Sequence, residues 1–366
     1  MIDSNSIASP EHGGRLRQAA EQFGIPLTSW LDLSTGINPQ SWSVPALPLA
    51  VWQRLPEDDD GLENAAARYY GAAENPVPLA GSQAAIQILP TLRPCSRVGV
   101  PAIGYQEHAH AWRRAGHQVI ELSDDDLLDK SPRPPLLKGE EEKPPLEKGG
   151  LGGFETKGIL EQLDVLIVIN PNNPSGHRWS VATLLDWQQR LAARGGWLIV
   201  DEAFMDTTPD DSLIPHLPRS GLIVLRSLGK FFGLAGARVG FLFADKRLRS
   251  QVAAQLGPWT VAGASRWVAT QALSDTAWQT TARHALPHAS ARLAKLLRYQ
   301  RLTPSGETAL FQWVQTENAA RIHVGLAQQG ILVRYFAEPA SVRFGLPGNE
   351  SEWQRLSLAL TALVHA

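Results

Sequence analysis

The sequence predicts an α/β protein: a large domain on a mostly parallel sheet, then a smaller C-terminal α+β domain. Three observations predict it. Short apolar runs rich in β-branched residues and leucine recur through the first two thirds of the chain, as in strands buried on both faces. Helix-like segments alternate with these runs, which favours parallel order. After about residue 303 the pattern changes to shorter strand-like runs mixed with two helical stretches.

Taken in order, residues 1–45 form an N-terminal arm expected to pack with the small domain, and 46–285 form the large domain. Its strands are expected at 97–100, 118–122, 164–169, 197–200, 222–225 and 239–243, and its helices at 61–70, 82–92, 180–194 and 265–284. The small domain, 286–366, opens with a helix at 286–300. It continues with strands at 309–314, 331–335 and 341–344 and helices near 317–329 and 349–364. Residues 129–158 interrupt this plan. They are dense in Pro, Gly, Lys and Glu and hold a near-repeat, Pro134-Pro-Leu-Leu-Lys-Gly139 and Pro144-Pro-Leu-Glu-Lys-Gly149. Such a segment buries too little apolar area to offset its ordering entropy, so it reads as a disordered surface insertion.

Composition narrows the function classes. The 366 residues carry 34 Lys plus Arg against 36 Asp plus Glu, with 43% apolar residues. The near-zero charge gives no electrostatic footprint for nucleic acid. Cys95 is the single cysteine, so neither a disulfide framework nor a cysteine zinc site can form within one chain, and no metal is expected. No apolar run approaches the roughly 20 residues that span a bilayer. The start lacks a signal-peptide pattern, so a cytoplasmic protein is expected.

Lys230 carries the most chemical information. It lies in Ser227-Leu-Gly-Lys-Phe-Phe-Gly-Leu-Ala-Gly-Ala-Arg238, a glycine-rich turn after the run Leu222-Ile-Val-Leu225. That context holds its amine near the carboxyl edge of a sheet, flanked by Ser227 and Arg238, two residue types that bind phosphate. An amine so placed suggests a Schiff-base lysine holding pyridoxal 5′-phosphate; the alternative is a solvated loop lysine. Four further stretches converge on the same cofactor. Gly81-Ser82-Gln83 opens a helix and offers free N–H groups to an anion, or simply caps it. Asn170-Pro-Asn-Asn-Pro-Ser-Gly176 follows an apolar strand, and its two Asn-Pro pairs present Asn173 at a strand's carboxyl end or merely stiffen a turn. Asp201 ends the run Trp197-Leu-Ile-Val200, where a carboxylate is costly unless paired; facing a pyridine nitrogen it would keep that nitrogen protonated. Tyr105, a few residues beyond a strand end, could stack on a flat ring or serve structure alone. Rival motifs fail: Val224 and Phe231 break the phosphate-loop pattern around Gly229-Lys230, and no Gly-x-Ser-x-Gly occurs.

In this order Gly81, Ser82, Gln83, Tyr105, Asn173, Asp201, Ser227, Lys230, Arg238 and Arg343 resemble the fold-type-I pyridoxal-phosphate enzymes of the class I/II aminotransferase group. The resemblance covers nearly the whole chain except 129–158. It implies a Schiff base on Lys230, a pyridine-nitrogen contact from Asp201 and a ring-hydroxyl contact from Asn173. Tyr105 would stack on the ring, and Gly81, Ser82, Gln83, Ser227 and Arg238 would hold the phosphate. Arg343 would grip the substrate carboxylate as a bidentate fork. A homodimer is implied as well. Leu55 departs from the group, which usually has a tyrosine there that reaches the partner subunit's cofactor phosphate.

Within the group the chain looks most like the threonine-phosphate decarboxylases of cobalamin biosynthesis. His12-Gly13-Gly14 is similar to a signature over the substrate phosphate. Asp32-Leu-Ser-Thr-Gly-Ile-Asn-Pro39 is similar to a second one, with Gly36, Ile37 and Asn38 near the substrate. Asp201-Glu-Ala-Phe-Met-Asp206 also matches, where histidinol-phosphate aminotransferases usually carry tyrosine at Phe204. Arg334, in Gly330-Ile-Leu-Val-Arg334, offers the substrate a second arginine. The resemblance implies decarboxylation of L-threonine O-3-phosphate, a small phosphorylated amino acid, to (R)-1-aminopropan-2-yl phosphate. A histidinol-phosphate-type aminotransferase is the alternative, since the same residues serve either reaction. A cofactor-binding scaffold without activity is a third reading.

Overall fold

A computed structural model of the chain describes residues 10, 12–128 and 158–364. The insertion expected at 129–158 lies outside the described residues, Gly158 excepted. In chain order the strands are β1 (Leu31–Leu33), β2 (Val77–Leu79), β3 (Arg97–Pro101), β4 (Gln118–Leu122), β5 (Val165–Ile169) and β6 (Trp197–Asp201). They continue as β7 (Leu222–Ser227), β8 (Gly240–Phe243), β9 (Gly306–Thr308), β10 (Phe311–Gln315), β11 (Ile331–Phe336) and β12 (Ser341–Gly345). The helices before the insertion are α1 (Leu16–Phe23), α2 (Ala50–Gln53), α3 (Leu62–Tyr70), α4 (Ser82–Ile88), α5 (Glu107–Arg114) and α6 (Asp124–Leu127). Those after it are α7 (Val181–Ala192), α8 (Lys246–Leu256), α9 (Gly263–Ser274), α10 (Thr276–Tyr299), α11 (Ala319–Ala327) and α12 (Glu350–Val364).

The larger sheet has the order β2-β8-β7-β6-β5-β3-β4. Its pairs from β4 to β7 are parallel, and β8 runs antiparallel to both β7 and β2. The continuous apolar runs are explained by burial on both faces. Leu166, Val168, Leu198 and Val200 feed one apolar cluster, while Val165, Ile167, Ile199 and Ile223 feed another. Because side chains alternate along a strand, a sheet covered on both sides needs apolar residues at every position. The chemistry-bearing residues then fall where these runs end. Asp201 closes β6 and pairs in register with Ile169 and Leu225, and Ser227 closes β7.

The smaller sheet has the order β1-β11-β12-β10-β9. β1 joins it in parallel with β11, Leu31 opposite Ile331 and Leu33 opposite Val333. The N-terminal segment thereby contributes a strand to the C-terminal sheet. In the antiparallel pair β11–β12, Arg334 stands opposite Arg343.

The expected helices at 265–284 and 286–300 divide elsewhere. The break falls at Asp275, whose carboxylate accepts from Trp278 N at 3.0 Å and from Trp42 Nε1 at 3.0 Å. Pro287 sits inside continuous α10. A proline costs a helix one N–H bond, but Leu286, Ser290, Leu293 and Leu297 bury this helix and hold it through that site. Sequence reading also missed β1, β2 and β9, each of three residues, and helices α1, α2, α5, α6 and α8. Among the described residues no helix is long and apolar enough to cross a membrane.

Candidate active site

A cleft of about 470 Å³ opens between the carboxyl ends of the large sheet and the small sheet. Lys230, Asn173, Tyr105, Arg343, Arg334 and His12 all line it. Asn173 comes from the loop after β5, and its Oδ1 accepts from Arg343 Nη1. Both Asn-Pro bonds of that loop, Asn170–Pro171 and Asn173–Pro174, are cis. The Arg343 Nη2 donates to Ser34 O at 2.8 Å, so the guanidinium joins the large domain's loop to the N-terminal segment. Phe204 lies below the lysine, its ring centre 5.6 Å from Nζ, and meets Phe311 edge-on at 5.2 Å.

Asp201 is 3% exposed at the end of β6. Its Oδ2 accepts from His108 Nε2 at 3.0 Å, and its Oδ1 accepts from Ala203 N at 3.1 Å. Neighbouring charges act together on the lysine. Burial first, then Arg343 and also Arg238, pull the Lys230 amine down to about 8, against the opposing pull of Asp201. Burial, and then Arg334, bring Arg343 down to about 10, opposed by Asp32. Burial, with Glu107 and Asp201 adding, pushes the Tyr105 phenol above its usual range. Among the described residues that line the cleft, Glu338 is the one carboxylate, against Arg113, Lys230, Arg334 and Arg343. Such an excess of cations in a partly desolvated cleft attracts anions.

A second cluster lies beside the cleft. Gly81 has φ +79, and a Cβ there would stand 2.5 Å from Arg238 Nη2. The guanidinium therefore packs on the turn that opens α4. A Cβ at Gly240 would stand 2.5 Å from Ser82 N, so β8 also presses against that turn. Gln83 Oε1 accepts from the Tyr105 hydroxyl at 3.3 Å, and Ser227 Oγ accepts from Gly229 N at 3.3 Å.

The sequence model for aminotransferase class I and II matches residues 54–362. The chain belongs to this family. It is 53% identical over 350 residues to a threonine-phosphate decarboxylase of Pseudomonas aeruginosa, covering 96% of this chain and 97% of that one. It is 36% identical over 358 residues to a threonine-phosphate decarboxylase of a Sinorhizobium species, with coverage of 96% and 98%. A solved histidinol-phosphate aminotransferase of Sinorhizobium meliloti, in complex with pyridoxal-5′-phosphate, shares the fold with a TM-score of 0.73. It is 20% identical and the match covers 98% of this chain and 99% of that one.

As in this family, the residues here fit pyridoxal 5′-phosphate. Lys230 would supply a half-buried amine, and Asp201 a carboxylate already braced by His108. Tyr105 would give a flat face, and the Gly81–Gln83 turn with Arg238 would give N–H groups and a cation for a phosphate. The group supplies an electron sink for the pair left when a bond to the substrate Cα breaks.

Not every expected substrate contact reaches the cleft. Gly36 lines it, packed so closely that a Cβ would stand 2.9 Å from Phe204 Cε1. Ile37 and Asn38 are not among its lining residues. Asn38 instead turns its N–H donors to the lysine loop: its backbone N donates to Lys230 O at 3.0 Å and its Nδ2 to Phe231 O at 2.9 Å. Gly13 lines the cleft beside His12. Sequence reasoning missed His108, Glu107 and Ser34. The first two lie on α5, whose polar run Glu-His-Ala-His-Ala-Trp-Arg-Arg hides a face of Ala109, Ala111 and Trp112. Ser34 receives from Gly14 N at 2.7 Å and donates to Asp32 Oδ1 at 2.6 Å.

Proposed function

We propose that the protein is a pyridoxal-phosphate-dependent decarboxylase that converts L-threonine O-3-phosphate to (R)-1-aminopropan-2-yl phosphate, for cobalamin biosynthesis. The observation that carries the reading is the juxtaposition of Arg334 and Arg343 across β11 and β12 at a cleft floored by Lys230. A substrate with an amine, a carboxylate and a phosphate needs an amine acceptor and two separate anion grips. The similarity to threonine-phosphate decarboxylases over almost the whole chain supports the same substrate.

Each residue then has a task. The Lys230 amine, depressed to about 8, is partly neutral near physiological pH and can bind the cofactor carbonyl or carry a proton to Cα. Asp201, fixed by His108, holds a proton on the pyridine nitrogen. Asn173, tied to Arg343, orients the ring hydroxyl. Arg343 and Arg334 would grip the substrate's two anionic groups and so fix its orientation over the lysine. Phe204 and Phe311 keep water from the lysine's underside.

Purified protein incubated with L-threonine O-3-phosphate is expected to release CO2 and form the amino-alcohol phosphate, and Lys230→Ala is expected to lose both the visible absorbance and the product. Keto acid formed with 2-oxoglutarate as acceptor, and no CO2, would replace this reading with a histidinol-phosphate-type aminotransferase.

The working form in this reading is a homodimer. Leu49, Trp52 and Leu55 stand exposed on and beside α2, which packs on α9, and Trp259 is exposed ahead of α9. An apolar surface of this kind suits a second copy of the chain. Trp52→Glu is expected to shift the protein from dimer to monomer in sedimentation; an unchanged dimer would remove this face from the interface.

A further inference from the structure

We propose that Glu107 is a positioning residue: it latches the N-terminal arm over the cleft and ties that arm to the Gln83 amide beside the cofactor's phosphate. Glu107 is 7% exposed in the first turn of α5. Its Oε1 accepts from His12 Nε2 at 2.8 Å. Its Oε2 accepts from Gln83 Nε2 at 2.5 Å and from Gln87 Nε2 at 3.3 Å. No arginine or lysine pairs with it among the described residues. A buried carboxylate is costly to maintain without donors, and these three side chains supply them.

The connections run from the arm to the ring face. His12 reaches Glu107, Glu107 holds Gln83, and Gln83 accepts from the Tyr105 hydroxyl. His12 also lies 5.8 Å from the Tyr105 ring centre. On its other side the arm is pinned to the small sheet's neighbourhood by Gly14 N donating to Ser34 Oγ. His12 is thus suspended between the two sheets, and Glu107 is its one side-chain hydrogen-bond partner on the large domain among the described contacts. The same helical turn sends His108 to Asp201. One turn of α5 therefore braces both the arm and the carboxylate that would face the pyridine nitrogen.

This inference rests on the functional reading above for the identity of the substrate, but the latch itself can be tested without it. Trypsin can cut after Arg15 and Arg17, both exposed at the arm's base. In the holoenzyme, Glu107→Ala is expected to speed cleavage there about tenfold, and to raise KM for L-threonine O-3-phosphate about tenfold with kcat within about threefold. Glu107→Gln keeps the packing and one acceptor oxygen, and should fall between Glu107→Ala and the parent. His12→Ala should also raise KM, and the double variant should fall short of the sum of the two singles, because both singles remove the shared His12–Glu107 contact. Additive KM effects, equal losses in kcat, or cleavage at the parent rate would overturn the latch. If the parent enzyme releases no CO2, the substrate reading fails, and the proteolysis alone decides the role of Glu107.

Discussion

Two buried arginines, Arg226 and Arg343, lie on neighbouring parts of the molecule and have opposite surroundings. Arg226, 1% exposed on β7, faces Glu202 Oε2 at 3.2 Å and Asp206 Oδ2 at 3.6 Å, and lies 4.7 Å from the Tyr70 ring centre. Burial alone would lower its pKa, but Glu202 and then Asp206 outweigh that and hold it raised. Arg343, 7% exposed on β12, has no carboxylate within ion-pair distance among the described residues. Its guanidinium bonds to an amide oxygen and a backbone carbonyl, its Nε finds no partner, and its pKa is lowered. The contrast separates structure from binding. Arg226 is neutralised by its own chain and locks the end of β7 to the loop after β6. Arg343 keeps a charge with no ion-pair partner among the described residues, in a desolvated place open to an anion.

The comparison breaks most visibly at Arg226. Arg226→Met leaves two buried carboxylates facing each other, and removing one partner of a buried ion pair costs about 3–5 kcal/mol. Thermal or denaturant unfolding should show a loss of that size. A loss under about 1 kcal/mol would mean that the cluster is not a structural lock. The next effect is expected at Arg343. Arg343→Ala should keep the unfolding midpoint and the cofactor's absorbance while lowering kcat/KM by about 2–5 kcal/mol, the cost of a lost charge-assisted contact. Equal losses of cofactor and substrate affinity would place Arg343 in the fold rather than in substrate binding.

The smallest effect sharpens the comparison electrostatically. Only the neutral amine attacks a carbonyl, so cofactor capture by the apoprotein should rise with pH and level off above an apparent pKa of about 8. Arg343 is the second cause of that depression, after burial. Arg343→Gln should therefore move the midpoint upward, toward the usual lysine value, and slow capture at neutral pH. Stopped-flow absorbance across pH reads this directly. A midpoint that stays put would show that Arg343's charge does not reach the amine.

Much of this arrangement was legible along the chain. The apolar runs ending in Asn170, Asp201 and Ser227 announced strands whose carboxyl ends carry chemistry, because a buried parallel strand must be apolar until it leaves the sheet. The short motifs around Asn173 and Lys230 were legible for a similar reason: special loop residues crowd where a backbone must turn tightly, whereas Arg343, inside β12, stood out through the family resemblance alone. Glu107 and His108 were not. In a polar eight-residue helix they read as surface residues, and nothing local says that one meets His12 across 95 residues of chain and the other meets Asp201 across 93. The acids of Asp201-Glu-Ala-Phe-Met-Asp206 illustrate the same limit. Their spacing gave no hint that Asp201 turns to His108 while Glu202 and Asp206 turn to Arg226.

The class of fold, the order of the motif-bearing loops and the lysine among them could be read from the chain alone. These are local matters of periodicity, turn chemistry and residue type. Only the tertiary structure decided which charges are neutralised and which are left open. A charge's environment is set by the neighbours that folding brings to it, and for His12, Glu107, Arg226 and Arg343 those neighbours lie far off along the chain.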